Sequence, residues 1–127
     1  MNEANILVVD DNPEILEILT ILLEGENYTV FSAQSGAAAL SLLTAHPIDL
    51  IILDVMMPEM NGLEATRCIR AFEGVGPDEG TPIIAMTANV FADDVRACLE
   101  SGMNSHVGKP LDMRVLMREI LKYTHRS

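Results

Sequence analysis

Short apolar runs alternate along this chain with longer segments whose apolar residues recur at helical spacing. Ile6-Leu7-Val8-Val9 is the first run, unbroken, as in a strand buried on both faces. Asn12 then caps a helix predicted from Pro13 to about Glu26, with Pro at its first position. Tyr28 to Ala33 is β-rich, and Ser35 caps a second helix running to about Ala45. Ile48 to Leu53 is another near-continuous apolar run. Asn61-Gly62 leads into a helix ending near Phe72, and residues 74–80 form a loop rich in Gly, Pro and acids. Pro82 to Met86 is the fourth apolar run, followed by a helix over 91–101 with Gly102 as its C-cap. Ser105 to Gly108 is a short fifth strand, and Asp112 caps a last helix to about Tyr123. Strand then helix, five times over, predicts an α/β fold with a doubly wound parallel sheet and right-handed crossovers.

Length adds that the chain is one domain, since 127 residues fall within the usual range of about 100–200. We therefore expect a single domain over 1–127. A composition of 49% apolar and 21% charged residues is that of an ordinary globular protein. The net charge of -11 is unevenly placed. No Lys or Arg precedes Arg67, so residues 1–66 hold 11 acids and no base, and the rest hold 8 of each. This balance argues against direct binding to nucleic-acid phosphates or anionic lipid. No apolar run reaches 18 residues, and the N-terminus lacks the pattern of a signal peptide, so a cytoplasmic location is expected. Cys68 and Cys98 are too few and too unpatterned for a disulfide scaffold or a zinc site. Trp is absent and aromatics are 4%, which disfavours a base-stacking platform.

The polar residues that close the strands carry the chemistry. The first strand ends at Asp10-Asp11, the third at Asp54, the fourth at Thr87 and the fifth at Lys109. Parallel strands bring all four ends to one edge, where open α/β sheets bind ligands. Three convergent carboxylates repel unless a cation compensates. Mg2+, which takes one or two carboxylates, waters and a phosphoryl oxygen, suits them. Lys109 supplies a positive point charge and Thr87 a hydroxyl, a set that stabilises a transferring phosphoryl group. Asp54, the lone acid on the central run, is the candidate nucleophile, and Asp10 and Asp11 the candidate metal holders. Singly, each of these residues has an ordinary alternative as a turn, cap or surface residue. Four strand ends together are harder to explain that way.

These residues also carry a resemblance. Val8-Val9-Asp10-Asp11-Asn12, the segment Leu53 to Gly62, Ile83 to Ala88 and Gly108-Lys109-Pro110 resemble, in order and spacing, the receiver domain of two-component response regulators. Met60 to Thr66 and Gly102 to His106 are similar to receivers joined to hybrid sensor histidine kinases. The resemblance implies a flavodoxin-like sheet of order 2-1-3-4-5. It implies that Asp54 accepts a phosphoryl group from a phosphohistidine on a histidine kinase or histidine phosphotransfer domain. It places Mg2+ on Asp11, Asp54 and the backbone carbonyl of Met56, with Asp10 acting through water. Phosphoryl oxygens would be held by Thr87, the Ala88 amide and Lys109, and Lys109-Pro110 would carry a cis peptide. The domain would catalyse its own phosphorylation and dephosphorylation and reshape the face made by the fourth helix, fifth strand and fifth helix.

Departures from the pattern sharpen the expectations. The switch position, usually Tyr or Phe, is His106, whose charge changes near neutral pH. Met56 and Asn89 stand where the family tunes water access to the phosphoryl group. On the first helix Ile15, Ile18, Leu19, Leu22 and Leu23 form the predicted buried stripe, leaving Leu16 at its edge and Ile21 among Glu14, Glu17 and Glu24 as partner contacts. Arg114, Arg118, Lys122 and Arg126 form a basic stripe on the last helix, a solvated face or a contact in a phosphorylation-dependent homodimer. Two other readings compete: a phosphorylation-independent pseudo-receiver acting as an interaction module, and an FMN electron carrier on the same fold.

Overall fold

A computed structural model of the chain describes residues 4–54, 62–74, 80–87, 96, 100, 102–108 and 112–124. The strands are β1 (Asn5–Val9), β2 (Thr29–Ala33), β3 (Leu50–Asp54), β4 (Ile83–Thr87) and β5 (Ser105–Gly108). The helices are α1 (Pro13–Glu24), α2 (Gly36–Ala45), α3 (Gly62–Glu73) and a C-terminal helix (Met113–Thr124). Arg96 and Glu100 are helical, while most of the helix predicted over 91–101 lies outside the described residues. The five strands form one parallel sheet of order β2-β1-β3-β4-β5, the flavodoxin-like order expected.

The unbroken apolar runs follow from burial on both faces. Leu7, Val9, Ile51, Leu53, Ile83 and Ala85 point into one core, together with Ala39 of α2 and Ala65 and Ile69 of α3. Their neighbours Ile6, Val8, Leu50, Ile52, Ile84 and Met86 point into the other, beneath α1 and the C-terminal helix. Every one of these twelve strand residues is fully buried. At about 1.5–3 kcal/mol for each large apolar side chain, this burial dominates the stabilisation.

Local signals set the element ends. Asn12 Oδ1 accepts the Glu14 amide (2.9 Å) and Ser35 Oγ accepts the Ala38 amide (3.1 Å), as cap residues do. Asp112 Oδ1 accepts the Arg114 amide (2.9 Å) at the start of the C-terminal helix. α1 stops at Glu24 rather than near Glu26, because Asn27 takes φ 72 and turns the chain into β2. β3 and β4 each reach one residue further than predicted, taking in Asp54 and Thr87.

The phase of α1 is a correction. Leu16, Leu19 and Leu23 are buried, whereas Ile18, Ile21 and Leu22 are 55%, 62% and 40% exposed. Leu16 therefore packs in the core beside Leu19 and shows only an edge to the surface, while Ile18 and Leu22 leave the buried stripe. Seven of the twelve α1 residues are Ile or Leu, so periodicity alone fits more than one rotation of the helix. Packing on the sheet selects the one that buries three leucines.

Candidate functional site

The register brings the strand ends together. Val9 lies beside Leu53, so Asp10 follows β1 next to Asp54, the last residue of β3. Asp54 pairs with Met86, which puts Thr87 one step further along β4, and Thr87 pairs with Gly108. Lys109 directly follows Gly108. Lys109, Ala88, Met56 and the Lys109-Pro110 bond lie outside the described residues.

Carboxylate oxygens of Asp10, Asp11 and Asp54 all lie within 4.8 Å of one another. Asp10 is fully buried, Asp54 is 3% exposed and Asp11 is exposed. The adjacent acids differ because the chain turns between them. The Asp10 amide donates to the Ala33 carbonyl (3.1 Å), and Asp10 Oδ1 accepts the Asn12 amide (2.9 Å). That bond holds the turn into α1 and leaves Asp11 on its outer side. Two buried carboxylates and one at the mouth make an oxygen-rich donor set that fits a hard divalent cation. Such a cation would offset their mutual repulsion and draw a phosphoryl oxygen towards Asp54.

His106 is half-buried in β5 and pairs with Ala85 of β4, two residues before Thr87. It thus lies on the strand that leads to Gly108, two residues before it. Beside the acidic site, Pro13, Glu17 and Ile21 of α1 line an open cleft of about 390 Å³ together with Ser32 and Gln34.

A second polar cluster was not anticipated from the sequence. At the opposite edge of the sheet the Arg70 guanidinium, 9% exposed, donates to the carbonyls of Thr81 (2.8 Å) and Gly102 (2.7 and 3.0 Å), to Asn104 Oδ1 (2.8 Å) and to Glu73 Oε1 (2.9 Å). Glu73 Oε2 accepts the Thr81 amide (3.0 Å), and Asn104 Oδ1 also accepts the Ile83 amide (2.9 Å). Burial pushes the Glu73 carboxyl up, but hydrogen bonds from Thr81 and Arg70 outweigh it and leave its pKa below the usual value. Gly102 sits at φ +114, where an added Cβ would meet Arg70 Cγ at 3.0 Å. The sequence offered one hint, an Arg and a Glu three apart on α3; the partners come from distant loops.

Comparison with known proteins agrees with this geometry. Residues 6–121 match the model of the response regulator receiver domain. The sensor histidine kinase GacS of Pseudomonas protegens is 40% identical over 119 residues, which cover 94% of this chain and 13% of that protein. The chain therefore spans only a small part of the length of such curated relatives. Among solved structures, the receiver domain of sensor histidine kinase PA1611 from Pseudomonas aeruginosa, with a magnesium ion coordinated in its active-site cleft, superposes with TM-score 0.81 at 32% identity, covering 96% of this chain and 98% of that one. A chain in the Saccharomyces cerevisiae co-crystal of the histidine phosphotransfer protein Ypd1 with the receiver domain of Ssk1 superposes with TM-score 0.87 at 30% identity, covering 95% and 88%.

Proposed function

Because this chain belongs to the response regulator receiver domain family, we propose that it is a phosphoacceptor switch that takes a phosphoryl group from a partner phosphohistidine onto Asp54. The single observation that carries this reading is the meeting of the Asp10, Asp11 and Asp54 carboxylates at the carboxyl edge of the sheet. Mg2+ would be held by Asp11, Asp54 and the Met56 carbonyl, with Asp10 acting through water. When bound it supplies Lewis-acid polarisation of the phosphoryl group.

The chain's own residues do the rest. Asp54 is the nucleophile. One of its carboxylate oxygens bonds to phosphorus as the P–N bond to the donor imidazole breaks, and the imidazole leaves with the bonding electron pair. Thr87, the Ala88 amide and Lys109 hold the phosphoryl oxygens, while Met56 and Asn89 set how water reaches the phosphoryl group for later hydrolysis. Thr87 and His106 then shift, which remodels the face around β5 and the C-terminal helix. The donor is a histidine kinase or a histidine phosphotransfer domain, docking by Ile21 and the cleft beside α1. The whole 127-residue stretch works as one receiver unit in the cytoplasm, as the receiver segment of a hybrid sensor kinase or as a separate regulator. It touches neither nucleic acid nor membrane directly, and phosphorylation favours a homodimer. No helix among the described residues is long and apolar enough to cross a membrane.

A pseudo-receiver would keep the fold and lose the chemistry. Beryllofluoride with Mg2+ separates the two. The switch predicts backbone amide shifts at residues 87 and 105–108 that vanish in Asp54→Asn. A spectrum unmoved by beryllofluoride and Mg2+ would favour the interaction module.

A further inference from the structure

β2 is an edge strand, with β1 on one side and no strand on the other. Its two ends set which way its backbone groups point. The Thr29 amide donates to the Ala4 carbonyl (3.2 Å), and the Ala33 carbonyl accepts the Asp10 amide (3.1 Å). Successive residues of a strand turn their N–H and C=O to opposite sides. Thr29, Phe31 and Ala33 therefore bond to β1, and Val30 and Ser32 turn theirs outward. No described residue pairs with these outward groups. Proteins usually guard such an edge with charges, Pro or a bulge. Here the pairing with β1 runs unbroken from Thr29 to Ala33, and β2 holds no Pro. No Asp, Glu, Lys or Arg occurs between Glu26 and Asp49.

The two faces beside this edge offer different surroundings. On the α1 face Val30 packs against the core, and Ser32 and Gln34 border the open cleft of about 390 Å³. The far wall of that cleft is Thr20, Ile21 and Glu17 of α1. On the α2 face the half-buried Phe31 ring stacks on His46, with centroids 4.4 Å apart. Side chains alternate between faces along a strand. A strand laid beside β2 would put one side chain into the cleft and the next over the Phe31–His46 pair.

We infer that this edge takes up an extended, apolar and basic segment of a partner protein as an added strand. Backbone bonds to Val30 and Ser32 supply the affinity, and the two faces supply the selectivity. Ile21 and Thr20 favour an apolar residue in the cleft. Glu17 favours a Lys or Arg on the same face, two residues away, because α1 carries Glu14, Glu17 and Glu24 and no base. Phe31 favours an apolar residue between them on the other face. Charge disfavours a second copy of the chain. Pairing β2 with its own counterpart lays α1 beside α1, and no base precedes Arg67 to offset the facing glutamates. The segment also covers Ile21 and so competes with the phosphohistidine donor. That consequence alone rests on the docking reading above.

Amide NMR of the whole chain, titrated with a synthetic peptide, tests the inference. The probe is capped Thr-Lys-Val-Val-Val-Lys-Thr, whose pattern reads the same in either direction. The Val30 and Ser32 amides are expected to shift downfield and to exchange more slowly with solvent. The Thr29 and Phe31 amides, already bonded to β1, hold their exchange rates. N-methylating alternate peptide amides abolishes binding for one alternating set and spares it for the other, since only one set faces β2. Ser32→Pro removes an outward N–H without touching the β1 ladder and abolishes binding. Glu17→Lys weakens it about tenfold. Val30 and Ser32 amides unmoved up to about 1 mM peptide, or equal binding by both N-methylated sets, overturn the inference. Slowed exchange at Val30 and Ser32 that follows chain concentration without peptide also overturns it, by giving the edge to a second copy. The titration contains neither Mg2+ nor phosphodonor, so its failure leaves the phosphoacceptor reading intact.

Discussion

Asp10 and Asp11 are neighbours in sequence and opposites in environment. Asp10 is buried and holds the Asn12 amide, so its carboxylate shapes the turn as well as the proposed metal site. Asp11 is exposed and shares its surroundings with the Asp10 and Asp54 carboxylates. Removing Asp11 relieves repulsion and removes a metal ligand at once. In Mg2+-free buffer Asp11→Asn is therefore expected to raise the urea midpoint of unfolding. In wild type, added Mg2+ stabilises by linkage, and in the variant that gain is largely lost. Asp10→Ala instead lowers the free energy of unfolding in either buffer by about 1–3 kcal/mol, because the Asn12 amide loses its acceptor. Urea unfolding with and without Mg2+ checks both. At this scale the sequence named the three acids, since each closes an apolar run. It could not say that Asp10 is buried and Asp11 is not, because that depends on where the turn into α1 falls.

Among the elements, α1 and α3 show where one-dimensional patterns stop. α1 is so rich in Ile and Leu that its phase is settled only by the sheet beneath it. The buried position of Leu16 predicts that Leu16→Ala costs about 2–5 kcal/mol, whereas Ile18→Ser changes stability by no more than about 0.5 kcal/mol. Equal losses for the two, measured by chemical denaturation, would contradict the phase described. α3 ends in the Arg70–Glu73 cluster, which ties it to the starts of β4 and β5. Folding holds the Glu73 carboxyl below its usual pKa, so its ionised form stabilises the native state. That contribution is complete above the unfolded value of about 4.3 and is lost as pH falls through the lower folded value. Glu73→Gln should therefore lose stability at neutral pH and converge on wild type in strong acid. Thermal melts across the acid range measure the two curves. Parallel curves would remove Glu73 from this role. Beyond the Arg70–Glu73 spacing, nothing in the local sequence announces this cluster, because most of its acceptors come from two distant loops.

For the whole molecule, the parallel sheet and its strand ends were legible in the pattern, strand order came through the family resemblance, and surface use was not legible. Runs such as Ile6 to Val9 and Ile83 to Met86 are unbroken because both sheet faces are covered, and that pattern fixes a parallel α/β fold. The charge asymmetry takes on shape in three dimensions. Part of the acidic half lies at the carboxyl edge in Asp10, Asp11 and Asp54, and part lies along α1 in Glu14, Glu17 and Glu24. The central claim is that this edge receives a phosphoryl group at Asp54. The most direct measurement incubates the chain with a purified phosphohistidine-bearing phosphotransfer protein and Mg2+, then maps the modified residue by mass spectrometry. The account predicts rapid transfer to Asp54, abolished by chelating the metal and absent in Asp54→Asn. Transfer that persists in Asp54→Asn, or no transfer to wild type from that donor or from acetyl phosphate, would contradict it.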